Sequence, residues 1–260
     1  MKNYFKNLFD YKQNNLVAPV LIFGIFLVLF GIFVSTNIRG AISTFANKDQ
    51  SIAVTGTAER FVKSDTAKWT ITVSERVLGE NAGIIASKNN VKSIETIKNY
   101  LLKNGVKEEE ITVQTSTLSP ICELSAQGYE NCSIGIKGQI SNQNIVVDSS
   151  DVDKIQNVSA KVATEIVGVN ITNNLVEYYF NKLKDIRVEM LSEATKNARE
   201  RAEAVANAGG AAVGNIISLS SGVFQVTQKN SVSVDDYGMY DTTSVEKKIT
   251  ATVKVNFGVK

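Results

Sequence analysis

Residues 16–36 read LVAPVLIFGIFLVLFGIFVST, with no charged side chain among them. In a helix rising about 1.5 Å per residue, roughly 20 residues cross a hydrocarbon core of about 30 Å. Lipid offers the backbone no hydrogen-bond partner, so a spanning run must satisfy its peptide groups internally, as a helix. The stretch predicts one membrane-spanning helix, Leu16–Thr36, in contact with membrane lipid. It divides the chain into a short segment, 1–15, and everything that follows the span.

Charge on either side sets the orientation. Lys2, Lys6 and Lys12 precede the span against a single Asp10, and Arg39 and Lys48 follow it. Positive flanks stay inside, so residues 1–15 are expected in the cytoplasm and the C-terminal part outside the cytoplasmic (inner) membrane. A cleaved signal peptide is the rival reading. It would carry a shorter apolar region, about 7–15 residues, and a small-x-small cut site. Here Phe23, Phe26, Phe30 and Phe33 lengthen the run, and the best cut, after Ala46 with Thr44 at minus three, is poor. A buried core helix is a third reading, disfavoured because the segment is apolar on every face.

Residues 37–49 (NIRGAISTFANKD) read as a juxtamembrane linker, leaving 50–260 as the domain. A domain of that length can bury a sizeable core without metal or many crosslinks. The net charge of +2 is small, and basic residues are dispersed, so no nucleic-acid surface is expected. The chain has no histidine, which excludes Ser-His-Asp, Cys-His and His-zinc arrangements within it. Two cysteines exclude a four-cysteine zinc or iron–sulfur site from one chain. Glycines form no GxGxxG or Walker pattern, so no cofactor is called for.

Periodicity predicts the order ββαββαβαββ. Strands are expected over 51–61, 66–78, 111–120, 133–148, 171–183, 213–226 and 244–259. In the second strand Trp69, Ile71 and Val73 share a face. In the 133–148 strand Gln139, Ser141, Gln143 and Val147 form one face, opposite Ile136, Ile140 and Val146. Helices are expected over 81–104, with Ile84, Val91, Ile94, Ile97 and Leu101 as its apolar stripe, over 152–166 and over 184–208. Gly105, Gly168 and Gly209-Gly210 stop them. The fold class is therefore α+β: an N-terminal transmembrane helix, then an extracytoplasmic domain of mainly antiparallel sheet with about three helices. The similar strand–helix–strand layouts of 66–118 and 171–226 leave room for two related lobes.

Few residues suggest chemistry. Cys122 and Cys132 flank the polar segment ELSAQGYEN, a hairpin loop. Outside the cytoplasm they are expected to form a structural disulfide, contributing about 2–3 kcal/mol; free thiols are the alternative, and the spacing is not CxxC. Asp151 and Asp153 suit helix capping better than a cation site with Asp148, because the EF-hand spacing is missing. Asp235, Asp236 and Asp241, with Tyr237 and Tyr240, lie in a polar loop, 227–243, that is either functional or mobile. The helix 184–208 carries an alanine-rich underside at Ala194, Ala198, Ala202, Ala204, Ala206 and Ala208; an oligomer interface is the sharper alternative. No catalytic residue is selected.

Several segments taken in order resemble the SIMPL-domain family, in its membrane-anchored bacterial subgroup. They are IAVTGTAE (52–59), Asp65 before the strand through Val73, ITVQTSTLSP (111–120), ATKNARERAEAVANAGGAAVGNIISLS (194–220), and GVFQVT (222–227) followed by KKITATVKVNFGV (247–259). Many relatives carry Gly-Tyr where this chain has Gln139, and the cysteine pair is not a general family feature. The resemblance implies an extracytoplasmic α+β domain, often homo-oligomeric, with some members linked to oxidative-stress tolerance or ring-shaped assemblies. It supplies no catalytic residues. The function expected is a non-enzymatic interaction or assembly module of the bacterial envelope, with an envelope protein partner of unknown identity. A carboxylate-based envelope enzyme and a chaperone-like binder are the alternatives.

Overall fold

A computed structural model describes residues 17–46, 50–233 and 235–260. The segment 1–15 expected in the cytoplasm, Leu16 and residues 47–49 lie outside the described residues. Helix α1 spans Val17–Ala46, 30 residues. It passes the expected end at Thr36, so the expected linker is helical as far as Ala46. Side chains on α1 are described for 19–34, about 24 Å of helix. Among the described residues no helix is long and apolar enough to cross a membrane. The described large side chains from Val20 to Phe33 are nonetheless apolar and solvent-exposed.

By its backbone contacts the chain separates into two units, each discontinuous in sequence: 56–197 with 221–253, and the remainder. The larger unit contains a five-stranded antiparallel sheet. Its strands are β2 (Thr66–Leu78), β3 (Ile111–Val113), β4 (Thr117–Leu124), β5 (Glu130–Ser149) and β6 (Ile171–Tyr179), in the order β3-β5-β2-β6 with β4 also on β5. Helices α2 (Ala82–Lys103) and α3 (Val152–Glu165) contribute to its core. That core joins Trp69, Ile71 and Val73 with Ile145 and Val147, Ile94, Ile97 and Leu101 of α2, and Ile155, Val158 and Val162 of α3. The period-2 pattern of β2 thus buries one face, as alternation requires. Asp151 caps α3 by accepting from the Lys154 N–H at 3.1 Å.

The first half of α2 corrects the sequence reading. Ile84 and Val91 are each 60% exposed, whereas Ala82, Ala86, Asn90 and Ser93 are buried. Opposite them lies the face of β5 that reads as polar. Ser141 is fully buried, and the Asn90 side-chain amide donates to its carbonyl at 2.7 Å. Ser93 Oγ donates to Glu75 at 2.8 Å. A polar helix stripe has met a polar strand face, so the hydrophobic period misassigns both.

The second, four-stranded sheet has the order β1-β9-β7, with β8 also paired to β9. Its strands are β1 (Ser51–Lys63), β7 (Val213–Ser221), β8 (Gln225–Gln228) and β9 (Glu246–Val259), and helix α4 spans Leu183–Ala208. In the larger unit Met190 shares a core with Ile249, Ala251, Val226 and Phe180. In the smaller unit Ala198, Ala202 and Ala206 are buried, as are Val255 and Phe257, and the Arg199 guanidinium lies 5.4 Å over the Phe257 ring, at cation–π distance.

Other expectations shift. The strand expected over 111–120 is β3 and β4, interrupted at 114–116, and 213–226 is β7 and β8, interrupted at 222–224. The strand expected over 171–183 stops at Tyr179. Because β6 and β7 belong to different sheets, 171–226 is not a lobe equivalent to 66–118. Glu193 pairs across elements with Arg60 at 2.8 Å.

Candidate functional site

The β4–β5 hairpin outruns its sheet. The β2–β5 ladder ends at Leu78 opposite Gly138, and beyond it Ile136, Asn131 and Glu130 of β5 pair with β4. Along this arm the register jumps from Cys122 opposite Ile136 to Glu123 opposite Asn131, a bulge that loops out 132–135. Cys122 and Cys132 flank the jump at disulfide distance, with Cα atoms 4.6 Å apart. The turn closes through Ser125 N–H to the Tyr129 carbonyl at 2.8 Å, with Gly128 at φ +83°. Leu124, Tyr129, Ile134 and Ile136 are exposed on the arm.

At the arm's base is an open cleft of about 460 Å³ lined by Gly79, Asn81, Ala82, Gly83, Ile84, Leu118, Ile136, Gly138 and Gln139. None of these side chains titrates near neutrality, so the cleft has no acid, base or nucleophile of its own. It can hold an apolar group and hydrogen-bond it through Asn81 or Gln139.

A second cleft, about 410 Å³, is lined by Leu183, Arg187, Leu191, 221–224, Val226 and Tyr240. The Arg187 guanidinium lies 5.1 Å over the Phe224 ring. The Tyr240 hydroxyl accepts from the Phe180 N–H at 2.9 Å and donates to the Phe180 carbonyl at 3.1 Å, which fixes it as a structural strut.

The 227–243 loop is tied down by groups that sequence reasoning missed. Gln225 Oε1 accepts from Met239 N–H at 2.8 Å, and the Val226 carbonyl accepts from Asp241 N–H at 2.8 Å. Lys247 is fully buried and its ammonium donates to the Asp241 carbonyl at 2.6 Å, the Asp241 carboxylate at 3.1 Å and the Ser244 carbonyl at 2.8 Å. Burial alone would push the Asp241 carboxyl up, but hydrogen bonds from Ser244, Thr243 and Lys247 outweigh it and hold the group far below the usual carboxylate range. Asp241 therefore stays ionised and committed to the loop rather than poised as an acid or base. Asp235 accepts from the Tyr237 N–H, and Asp236 and Tyr237 are exposed. Asp153 pairs with Lys63 at 2.5 Å, apart from Asp148. Among the described residues no group of three or more His, Cys, Asp or Glu could hold a metal ion.

A family model described as SIMPL, protein of unknown function (DUF541), matches residues 52–257. The chain belongs to the SIMPL family. A comparison with curated proteins gives no match. Within this SIMPL domain, Asp65 meets the chain entering α4. Its carboxylate accepts from Asn181 N–H at 3.0 Å and Lys182 N–H at 3.3 Å, serving as an acceptor for unpaired amides just ahead of the helix. The segment 194–220 becomes the second half of α4, the turn through Gly209 and Gly210, and β7. Gln139, the departure from the family pattern, lines the cleft at the arm's base.

The SIMPL domain also presents an open strand edge. β7 lies at the end of its sheet, with β9 as its strand neighbour. Its nine residues, VGNIISLSS, carry no charge and no proline. Ile216, Ile217 and Leu219 are 46%, 49% and 48% exposed. An uncharged, apolar edge of this kind is a template for pairing with another strand.

Proposed function

We propose that this SIMPL protein is a single-pass, membrane-anchored module of the bacterial envelope, with its domain outside the cytoplasmic membrane and its role in assembly rather than catalysis. The surface of α1 carries the reading. Between Val20 and Phe33 each described large side chain is apolar and exposed. Such a continuous apolar surface on every side of a helix is costly in water and stable in lipid. The charge pattern of Lys2, Lys6 and Lys12 supports an internal N-terminus. An extracytoplasmic setting suits a Cys122–Cys132 bridge. Exposed apolar surfaces on β7 and on the arm, and a cleft with no titratable lining near neutrality, support binding over acid–base chemistry. A part in oxidative-stress tolerance enters this reading through the family resemblance.

Alkaline carbonate extraction of membranes containing the full chain tests the anchor. The protein stays with the sedimented bilayer if α1 spans it. Release into the supernatant overturns the reading.

A further inference from the structure

The other sheet edges carry features that hinder a further strand. On β1, the Thr55 carbonyl accepts from the Arg201 guanidinium at 2.9 Å, within the smaller unit. Further along β1, the Thr57 N–H donates to Asn197 at 3.2 Å, within the larger unit. On β6, the Tyr178 N–H donates to the Thr242 carbonyl of the late loop at 2.7 Å. β3 has three residues, and β4 carries Pro120, which has no N–H to offer. These are the usual devices that blunt an edge.

β7 has none of them along 215–221. Arg199 reaches the Gly214 carbonyl at 3.5 Å, and Asn256 reaches the Ser218 hydroxyl. Among the described residues no side chain or loop hydrogen-bonds the backbone of 215–221. Three edges carry such devices, and the uncharged β7 edge carries none along 215–221.

We infer that the β7 edge pairs antiparallel with the β7 edge of a second copy, about a two-fold axis at Ile217. The charge pattern selects this occupant. A two-fold contact sets each residue against its own kind or a near neighbour, so any charge near the axis meets a like charge. β7 has no charge in nine residues. In this register Ile217 faces the partner's Ile217, and Leu219 faces the partner's Asn215. Residues 215, 217 and 219 share a face, so Leu219, the two Ile217 side chains and the partner's Leu219 form one apolar stripe. Two four-stranded sheets then join into one. The inference rests on the assembly reading above and names its contact.

The test uses the full chain in detergent, by light scattering and by oxidative cross-linking. The wild-type chain is expected to be a dimer or an even-numbered assembly. Ile217→Lys places like charges across the axis, and should raise the dimer dissociation constant about tenfold or more with an unchanged circular dichroism spectrum. Ile217→Cys should cross-link to itself. Leu219→Cys should not, because its two copies lie about 13 Å apart along the strands, but should cross-link when mixed with Asn215→Cys. If Leu219→Cys cross-links to itself as readily as Ile217→Cys, or a folded Ile217→Lys assembles like wild type, the β7 contact is wrong and the assembly reading stands. A wild-type monomer at high concentration overturns both. Should Ile217→Lys misfold, the cysteine pairs decide the matter.

Discussion

Lys247 is the residue on which the late loop depends. Its three ammonium donors all have acceptors, two on Asp241 and one on Ser244. Removing one member of a buried pair leaves the other uncompensated. Lys247→Met should therefore cost about 3 kcal/mol in urea unfolding, and Asp241→Asn in the same chain should recover part of it. The pH dependence follows from the depressed Asp241 group. A carboxylate whose folded pKa lies below its unfolded value stabilises the fold above about pH 4, and that contribution is lost as the pH falls further. The urea midpoint should drop between pH 5 and pH 3, and Asp241→Asn should flatten that part of the profile. The position of Lys247 was legible in part. Ile249, Ala251, Val253, Val255 and Phe257 are buried at alternate positions, and two residues earlier the same face holds Lys247. A charged residue at a strand end reads as solvated, because Lys is rarely fully buried without a partner. The acceptors that permit it lie three to six residues away in an irregular loop, where no period signals them.

Among the elements, strands and helices were readable from their periods, and their faces were less so. β2 and the C-terminal half of α2 follow the hydrophobic pattern, so Trp69, Ile71, Ile94, Ile97 and Leu101 are in the core as expected. The N-terminal half of α2 does not, because Asn90 and Ser93 find partners on β5 and β2. Polar complementarity between distant segments leaves no periodic trace. Strand interruptions at 114–116 and 222–224 were likewise invisible, since neither breaks the β-forming composition strongly. The arm depends on Gly138. A Cβ there would sit 2.3 Å from the Val77 carbonyl oxygen and 2.8 Å from Leu78 Cδ2. The carbonyl belongs to the paired β2 backbone and has little room to yield. Gly138→Ala should cost about 2 kcal/mol or more in thermal or chemical unfolding. Gly83→Ala is the contrast. Its Cβ would meet Gln139 at an ordinary 3.6 Å, within the first turn of α2. That substitution should be neutral or stabilise by up to about 1 kcal/mol.

At the scale of the whole molecule, the apolar stretch near the N-terminus and the cysteine pair bear on the same question. The span reading places the domain outside the cytoplasm, and that compartment permits the Cys122–Cys132 bridge. On that reading, copies of the domain share one membrane plane, where tethering raises their effective concentration for pairing at the β7 edge. The candidate surface was the least legible part of the sequence. Uncharged residues in VGNIISLSS read as an ordinary strand, and only sheet order reveals that its outer edge has no strand neighbour among the described residues. The most direct measurement is labelling of intact cells with a membrane-impermeant maleimide, before and after mild reduction. Cys122 and Cys132 are expected to label on intact cells only after reduction. Labelling that requires lysis of the cells would contradict it.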